Sequence, residues 1–167
     1  MTLHDLNTLT KAQLKAELFK CCGSTAWVQK MLPLFPVKDV AQLLQHASHT
    51  WQQCTEADWL QAFAGHPKIG DMQALKKKFA STAAWASGEQ GAVAQAPEQL
   101  LQALAQGNDD YQNKFGFIFI VCATGKSAGQ MLQLLQQRLP NQRADEIRIA
   151  MEEQNKITQL RLQKLLA

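Results

Sequence analysis

Apolar positions along this chain recur with a helical period over almost its whole length. In "KAQLKAELFKCC", Leu14, Leu18 and Phe19 follow that spacing behind Thr10, a residue suited to cap a helix, and Gly23 closes the segment. Ser24 caps "TAWVQKML", which Pro33 and Pro36 stop. Between Val37 and Cys54 a helix carries Val40, Leu43, Leu44, Ala47 and Trp51 on one stripe. Thr55 opens "EADWLQAF", ended by Gly65, and Asp71 opens a further helix through Phe79. Pro97 suits the first turn of a helix through "EQLLQALAQGNDDYQNKF", where Gly107 and Asn108 leave room for a bend or break. Ser127 caps "AGQMLQLLQQRL", and Asn141 caps the last helix, "QRADEIRIAMEEQNKITQLRLQKLL". The short stretch "AVAQA" reads as loop or frayed helix.

One stretch departs from the pattern. "FIFIVCATGKS", Phe117 to Ser127, looks like a buried strand running into a phosphate-binding loop. That loop needs a glycine five residues before the glycine of Gly-Lys-Ser, so that successive backbone N–H groups can wrap a phosphate. Counting back from Gly125 lands on Ile120, and Gly116 is too distant to belong to the same loop. The nucleotide reading fails on spacing. No other run has the composition of a strand, and a lone strand has nothing to pair with. The expectation is therefore a buried apolar segment, a continuation or restart of helix, inside an all-α bundle. Residues 1–167 are read as one domain of about eight or more helices with no significant sheet.

Composition narrows the class. The chain has 167 residues, 46% hydrophobic and 19% charged, enough for one domain to bury a sizeable core. No apolar run is long enough to span a membrane, and the first residues lack a signal-peptide core, so a cytoplasmic protein is expected. A net charge of +3 is too small to argue for nucleic acid, and Lys76-Lys77-Lys78 reads as the solvated face of a helix. Cys21, Cys22, Cys54 and Cys122 form no Cys-x-x-Cys pair and behave as small core residues. His46 and His49 share a helix face, but no metal-ligand spacing supports them, and no metal site is assigned.

Three places resist a purely structural explanation. In "GHPKIG", His66 lies between a helix-ending glycine and Pro67, which restricts its backbone to extended conformations. A histidine there can exchange protons near neutral pH, or it can simply cap the helix. In "SGEQG", Glu89 and Gln90 sit between glycines and together suit amide or urea groups, although a polar turn also explains them. Arg161 falls on the apolar stripe of the last helix with Ile147, Met151, Ile157, Leu162 and Leu165. It must snorkel outward or meet an anion, either a structural carboxylate or a substrate. Together these residues suit proton transfer on a small, anionic, amide-rich molecule.

Four pieces of the chain, in order, resemble the OHCU decarboxylases: "WLQAFAGHPKIGD", the "EQ" after a tryptophan-containing segment, "YQNKFGFIFIVCATGKS" and the terminal "RLQKL". OHCU is 2-oxo-4-hydroxy-4-carboxy-5-ureidoimidazoline, an intermediate of urate degradation. The resemblance implies an all-α, cofactor-free, usually homodimeric enzyme that releases CO2 and forms (S)-allantoin, acting on a small-molecule ureide. It also implies that His66 is the catalytic histidine and Glu89 its acidic partner. Pro67, Gln90 and Arg161 would contact substrate. The stretch around Glu89, with Ser87, and the stretch Val121, Cys122, Ala123, Thr124 and Gly125 would line the pocket. Many relatives carry serine three residues before the glutamate, where this chain has Ala86. Ser87 is the adjacent residue available to substitute, which leaves that hydroxyl contact open. Two other classes are a non-enzymatic helical adaptor and a hydrolase of a related ureide.

Overall fold

Side-chain caps decide where most of the helices begin. The computed structural model describes residues 1–67 and 96–167, so the expected helix from Asp71 to Phe79, the lysine run, Ala86, Ser87, Glu89 and Gln90 lie outside the described residues. Thr2 starts α1 (Leu3–Thr8) in a reciprocal capping box with Asp5, an element the apolar pattern alone did not reveal. Thr10 does the same for α2 (Lys11–Cys21) with Gln13. Ser24 accepts from the Trp27 N–H to open α3 (Thr25–Met31), which passes into a single 3-10 turn, Leu32–Leu34. Thr55 and Asp58 box the start of α5 (Glu56–Ala64), and Ser127 with Gln130 that of α7 (Ala128–Arg138). Each such box satisfies two backbone donors that a helix start leaves without partners.

Three boundaries differ from expectation. The fourth helix, α4, covers Val40–Gln52 rather than starting at Val37, because Asp39 accepts from the Gln42 N–H and caps it. Val37 is held outside the helix by Asn7, which donates to its carbonyl at 2.8 Å and accepts from its N–H at 3.0 Å. Helix α6 (Ala96–Phe115) runs through Gly107 and Asn108 without a break. The buried Asn108 amide donates to Leu104 O at 2.8 Å, one turn back, so this side chain is satisfied within the helix. The last helix, α8, covers Arg143–Leu165, and Asn141 does not cap it. Its amide donates instead to Glu146 Oε2 at 3.0 Å.

All regular structure among the described residues is helical. None of the helices among these residues is long and apolar enough to cross a membrane. Two units are distinguished, residues 1–66 with 149–167, and residues 67–148. In the first, three indoles tie helices together through main-chain carbonyls. Trp27 donates to Ala47 O at 3.0 Å, Trp51 to Met151 O at 2.8 Å, and Trp59 to Trp51 O at 3.2 Å. Around them Leu6, Leu18, Met31, Leu43 and Phe63 are fully buried.

The second unit contains the stretch that resembled a strand. It is neither strand nor helix, which corrects the expectation of a continued or restarted helix. Gly116 ends α6 with φ at 81°, a left-handed conformation that glycine adopts without strain, and the chain leaves the helix there. From Phe117 to Ala123 the backbone is irregular, and Phe117, Phe119, Ile120 and Cys122 are buried. Arg138, at the end of α7, takes the place of a partner strand. Its Nη1 donates to Ile120 O at 2.7 Å, and its Nε donates to Glu146 Oε1 at 2.5 Å. Tyr111 completes the cluster by donating to Glu146 Oε1 at 2.6 Å. The guanidinium also lies over the Phe119 ring, 4.6 Å from its centroid.

Removing one member of such a pair leaves the other charge buried. Arg138→Met is expected to cost roughly 3–5 kcal/mol of folding free energy, measured by urea denaturation. A loss below about 1 kcal/mol would show that the ion pair is not what holds this segment.

Candidate active site

His66 follows α5 directly. Its N–H donates to Phe63 O at 3.1 Å, and the preceding Gly65 N–H donates to Ala62 O at 3.2 Å. These turns finish the helix and present a half-buried ring. The ring meets Gln154 of α8, with His66 Nε2 and Gln154 Oε1 2.5 Å apart. Gln154 is wholly inaccessible to solvent, and its Nε2 donates to Thr158 Oγ1 at 3.2 Å. Thr158, itself buried, lies beside the Cys22 thiol.

Gln154, Thr158 and Arg161 stand at i, i+4 and i+7 on α8, and therefore share one face of the helix. Seven residues of helix rise roughly 10 Å. One helix face thus carries both the partner of His66 and the arginine singled out in the sequence. Arg161 is half-exposed, and its Nη1 donates to Lys20 O at 3.4 Å, in the last turn of α2. The positive charge complements the carbonyl end of that helix.

The thiols beside this network are poor nucleophiles. Burial pushes the Cys21 thiol up to about 11 and that of Cys22 up to about 12, against an ordinary 9.0, and the Arg161 charge only partly opposes the shift. Burial likewise raises Cys54 to about 11. Among the described residues, no group of histidine, cysteine and carboxylate side chains is arranged to hold a metal ion.

The remaining expected residues described here belong to the second unit. Pro67 is exposed. Val121 to Gly125 ends in a turn closed by Lys126 N donating to Ala123 O at 3.0 Å. Gly125 has φ at 76° at the third position of that turn, the place where a type II turn needs a positive φ. Lys126 also folds its Nζ back onto Cys122 O at 2.7 Å. The carbonyls of Ile120, Cys122 and Ala123 thus each carry an internal hydrogen bond, so an incoming ligand would have to share them.

Sequence reading missed Gln154, Thr158, Arg138 and Glu146. Gln154 and Thr158 carried the same signal as Arg161, polar side chains on the apolar stripe of the last helix. Applying that test to uncharged residues would have flagged both.

Comparison with known proteins gives a consistent outcome. Residues 7–163 match the OHCU decarboxylase family. The chain is 37% identical over 147 residues to the uric acid degradation bifunctional protein TTL of Arabidopsis thaliana, covering 87% of this chain and 45% of that protein. It thus spans less than half the length of that relative. It is 28% identical over 166 residues to the 2-oxo-4-hydroxy-4-carboxy-5-ureidoimidazoline decarboxylase of Halalkalicoccus jeotgali, covering 99% of this chain and 92% of that one. A crystal structure of OHCU decarboxylase in the presence of (S)-allantoin superposes with a TM-score of 0.72 at 36% identity, covering 90% of this chain and 96% of that chain.

The raised thiol values fix a pH dependence. A thiol whose folded value exceeds its unfolded one contributes stability that is present below about pH 9 and is lost as pH rises through about 12. Folding stability is therefore expected to fall across that window, and less steeply in Cys22→Ala. In the same experiment at pH 8, iodoacetamide should label Cys22 only after unfolding, as read by mass spectrometry. Labelling of Cys22 at equal rates in buffer and in urea would contradict its burial.

Proposed function

Because the chain belongs to the OHCU decarboxylase family, we propose that it is a cofactor-independent carboxy-lyase converting OHCU to (S)-allantoin and CO2 in urate degradation. The observation that carries this reading is the family match over residues 7–163; within that span His66 lies against the helix face that also carries Arg161. The family match over residues 7–163 supports treating the chain as one decarboxylase-like domain.

The substrate can supply its own electron sink. C4 of OHCU bears a carboxylate and a hydroxyl, and C5 is an imine carbon. When the bond from C4 to the carboxylate breaks, its electron pair forms a C4=C5 double bond, and the imine pair moves onto nitrogen. Protonation of that nitrogen and of C5, with loss of the C4 hydroxyl proton, then gives allantoin. One proton is taken up overall for each carboxylate released as CO2. No separate cofactor is needed to hold the electrons. The protein's task is to orient the carboxylate, stabilise the enol-like intermediate and deliver the C5 proton to one face.

In this reading His66 is the acid–base group at the C4 hydroxyl or C5, and Arg161 pairs with an anionic group of the substrate. Glu89 supports the histidine, and Gln90 and Ser87 bind ureido or ring amides. Pro67 and the stretch Val121, Cys122, Ala123, Thr124 and Gly125 are assigned as substrate contacts on the resemblance alone. The protein is further proposed to be a cytoplasmic homodimer. Four cysteines that remain buried thiols suit a reducing compartment.

General acid–base help contributes about 10²–10⁴-fold. His66→Ala is expected to keep its helical circular dichroism while losing optically active allantoin formation by about that factor. The assay follows chiral product from freshly generated OHCU, because the uncatalysed product is racemic. Near-normal stereospecific turnover by the variant would remove His66 from the mechanism. Ammonia release in place of CO2 would favour a ureide hydrolase, and no acceleration over the blank would favour an adaptor. Sedimentation equilibrium should give about twice the 18.6 kDa chain mass; a single-chain mass would exclude the homodimer.

A further inference from the structure

We infer that Gln154 is a positioning residue that fixes the tautomer of His66, a role that rests on the reading of His66 as the proton carrier. A glutamine amide has a donor end and an acceptor end, and the neighbours of Gln154 distinguish them. Its Nε2 donates to Thr158 Oγ1 at 3.2 Å. The carbonyl end is left for the histidine, with Gln154 Oε1 against His66 Nε2. A carbonyl oxygen only accepts, so Nε2 carries a hydrogen in the neutral ring as well as in the cation. The lone pair of the neutral ring is then on Nδ1, and Nδ1 is the nitrogen that gains and loses the proton.

The donors run in one direction along this row: histidine to glutamine, glutamine to threonine. Every member belongs to the first unit. Gln154 is wholly buried and Thr158 is 2% exposed, so water does not compete for the amide. A buried amide bonded at both ends is held in place, whereas a solvent-exposed one would rotate and let both tautomers form. Catalytic histidines are commonly set in this way by the group bonded to their other nitrogen, and loss of the orienting group impairs turnover even when the ring remains in place.

The test combines a direct readout with kinetics. Nitrogen-15 shifts of the His66 ring, recorded at pH 8 with the unmodified chain, should show protonated Nε2 and unprotonated Nδ1. Gln154→Met keeps the side-chain length and removes the acceptor. It should mix the tautomers and lower kcat about 10²-fold, with KM changed less than about threefold. Gln154→Glu restores an acceptor oxygen and should recover kcat to within about tenfold of the unmodified chain. A ring protonated on Nδ1 in the unmodified chain overturns the inference. So does a Gln154→Met chain with unchanged shifts and unchanged kcat. Should Gln154→Met fail to fold, the ring shifts of the unmodified chain and the kcat of Gln154→Glu still decide. If His66→Ala keeps full stereospecific turnover, there is no proton carrier to position, and the reaction reading falls. The ring shifts distinguish that failure from an error about Gln154.

Discussion

The second unit depends on one arginine. Arg138 and Glu146 are the only charged side chains that are buried among the described residues, and between them they organise Tyr111, Asn141 and the carbonyl of Ile120. A backbone that leaves a helix and crosses an apolar interior must find partners for its polar groups, and each one left without a partner costs about 1–3 kcal/mol. Sheets solve this with neighbouring strands. Here a guanidinium supplies donors from a side chain, and the rings of Tyr111 and Phe119 cover its faces. A buried carbonyl of an irregular segment is thereby bonded without a neighbouring strand.

This explains why Phe117 to Val121 was hard to read. Its composition favours strand, the absence of partner runs argues against a sheet, and a continued helix is the choice that remains. The answer lay in Arg138, whose place at the end of α7 looks in sequence like an ordinary basic residue in a last turn. The link from Arg138 to Ile120 is not a periodicity, so no local pattern announces it. The helix starts were legible for the opposite reason. Thr10, Ser24, Thr55 and Ser127 cap through bonds three residues long, and such contacts are written in consecutive letters.

The candidate site was legible in part. His66 stood out because of its glycine and proline neighbours, and Arg161 because of its position on an apolar stripe. The sequence did not show that both relate to one face of α8, since a contact from residue 66 to residue 154 depends on tertiary folding. Gln154 was missed because glutamine is common on helix surfaces and attracts notice only when its burial is known. The family resemblance named the chemistry, whereas packing supplied the environment of the histidine ring.

The span between His66 and Gln154 also has a temporal side. The two residues are separated by 88 positions, so their contact closes a long loop. Ribosomes deliver the chain from its N-terminus, and α1 to α5 can gather while most of α8 has yet to be synthesised. Through that interval the imidazole has no amide to orient it. The tautomer of the His66 ring is thus set only once translation has passed Gln154, and a nascent chain halted before it would hold an imidazole without its orienting partner.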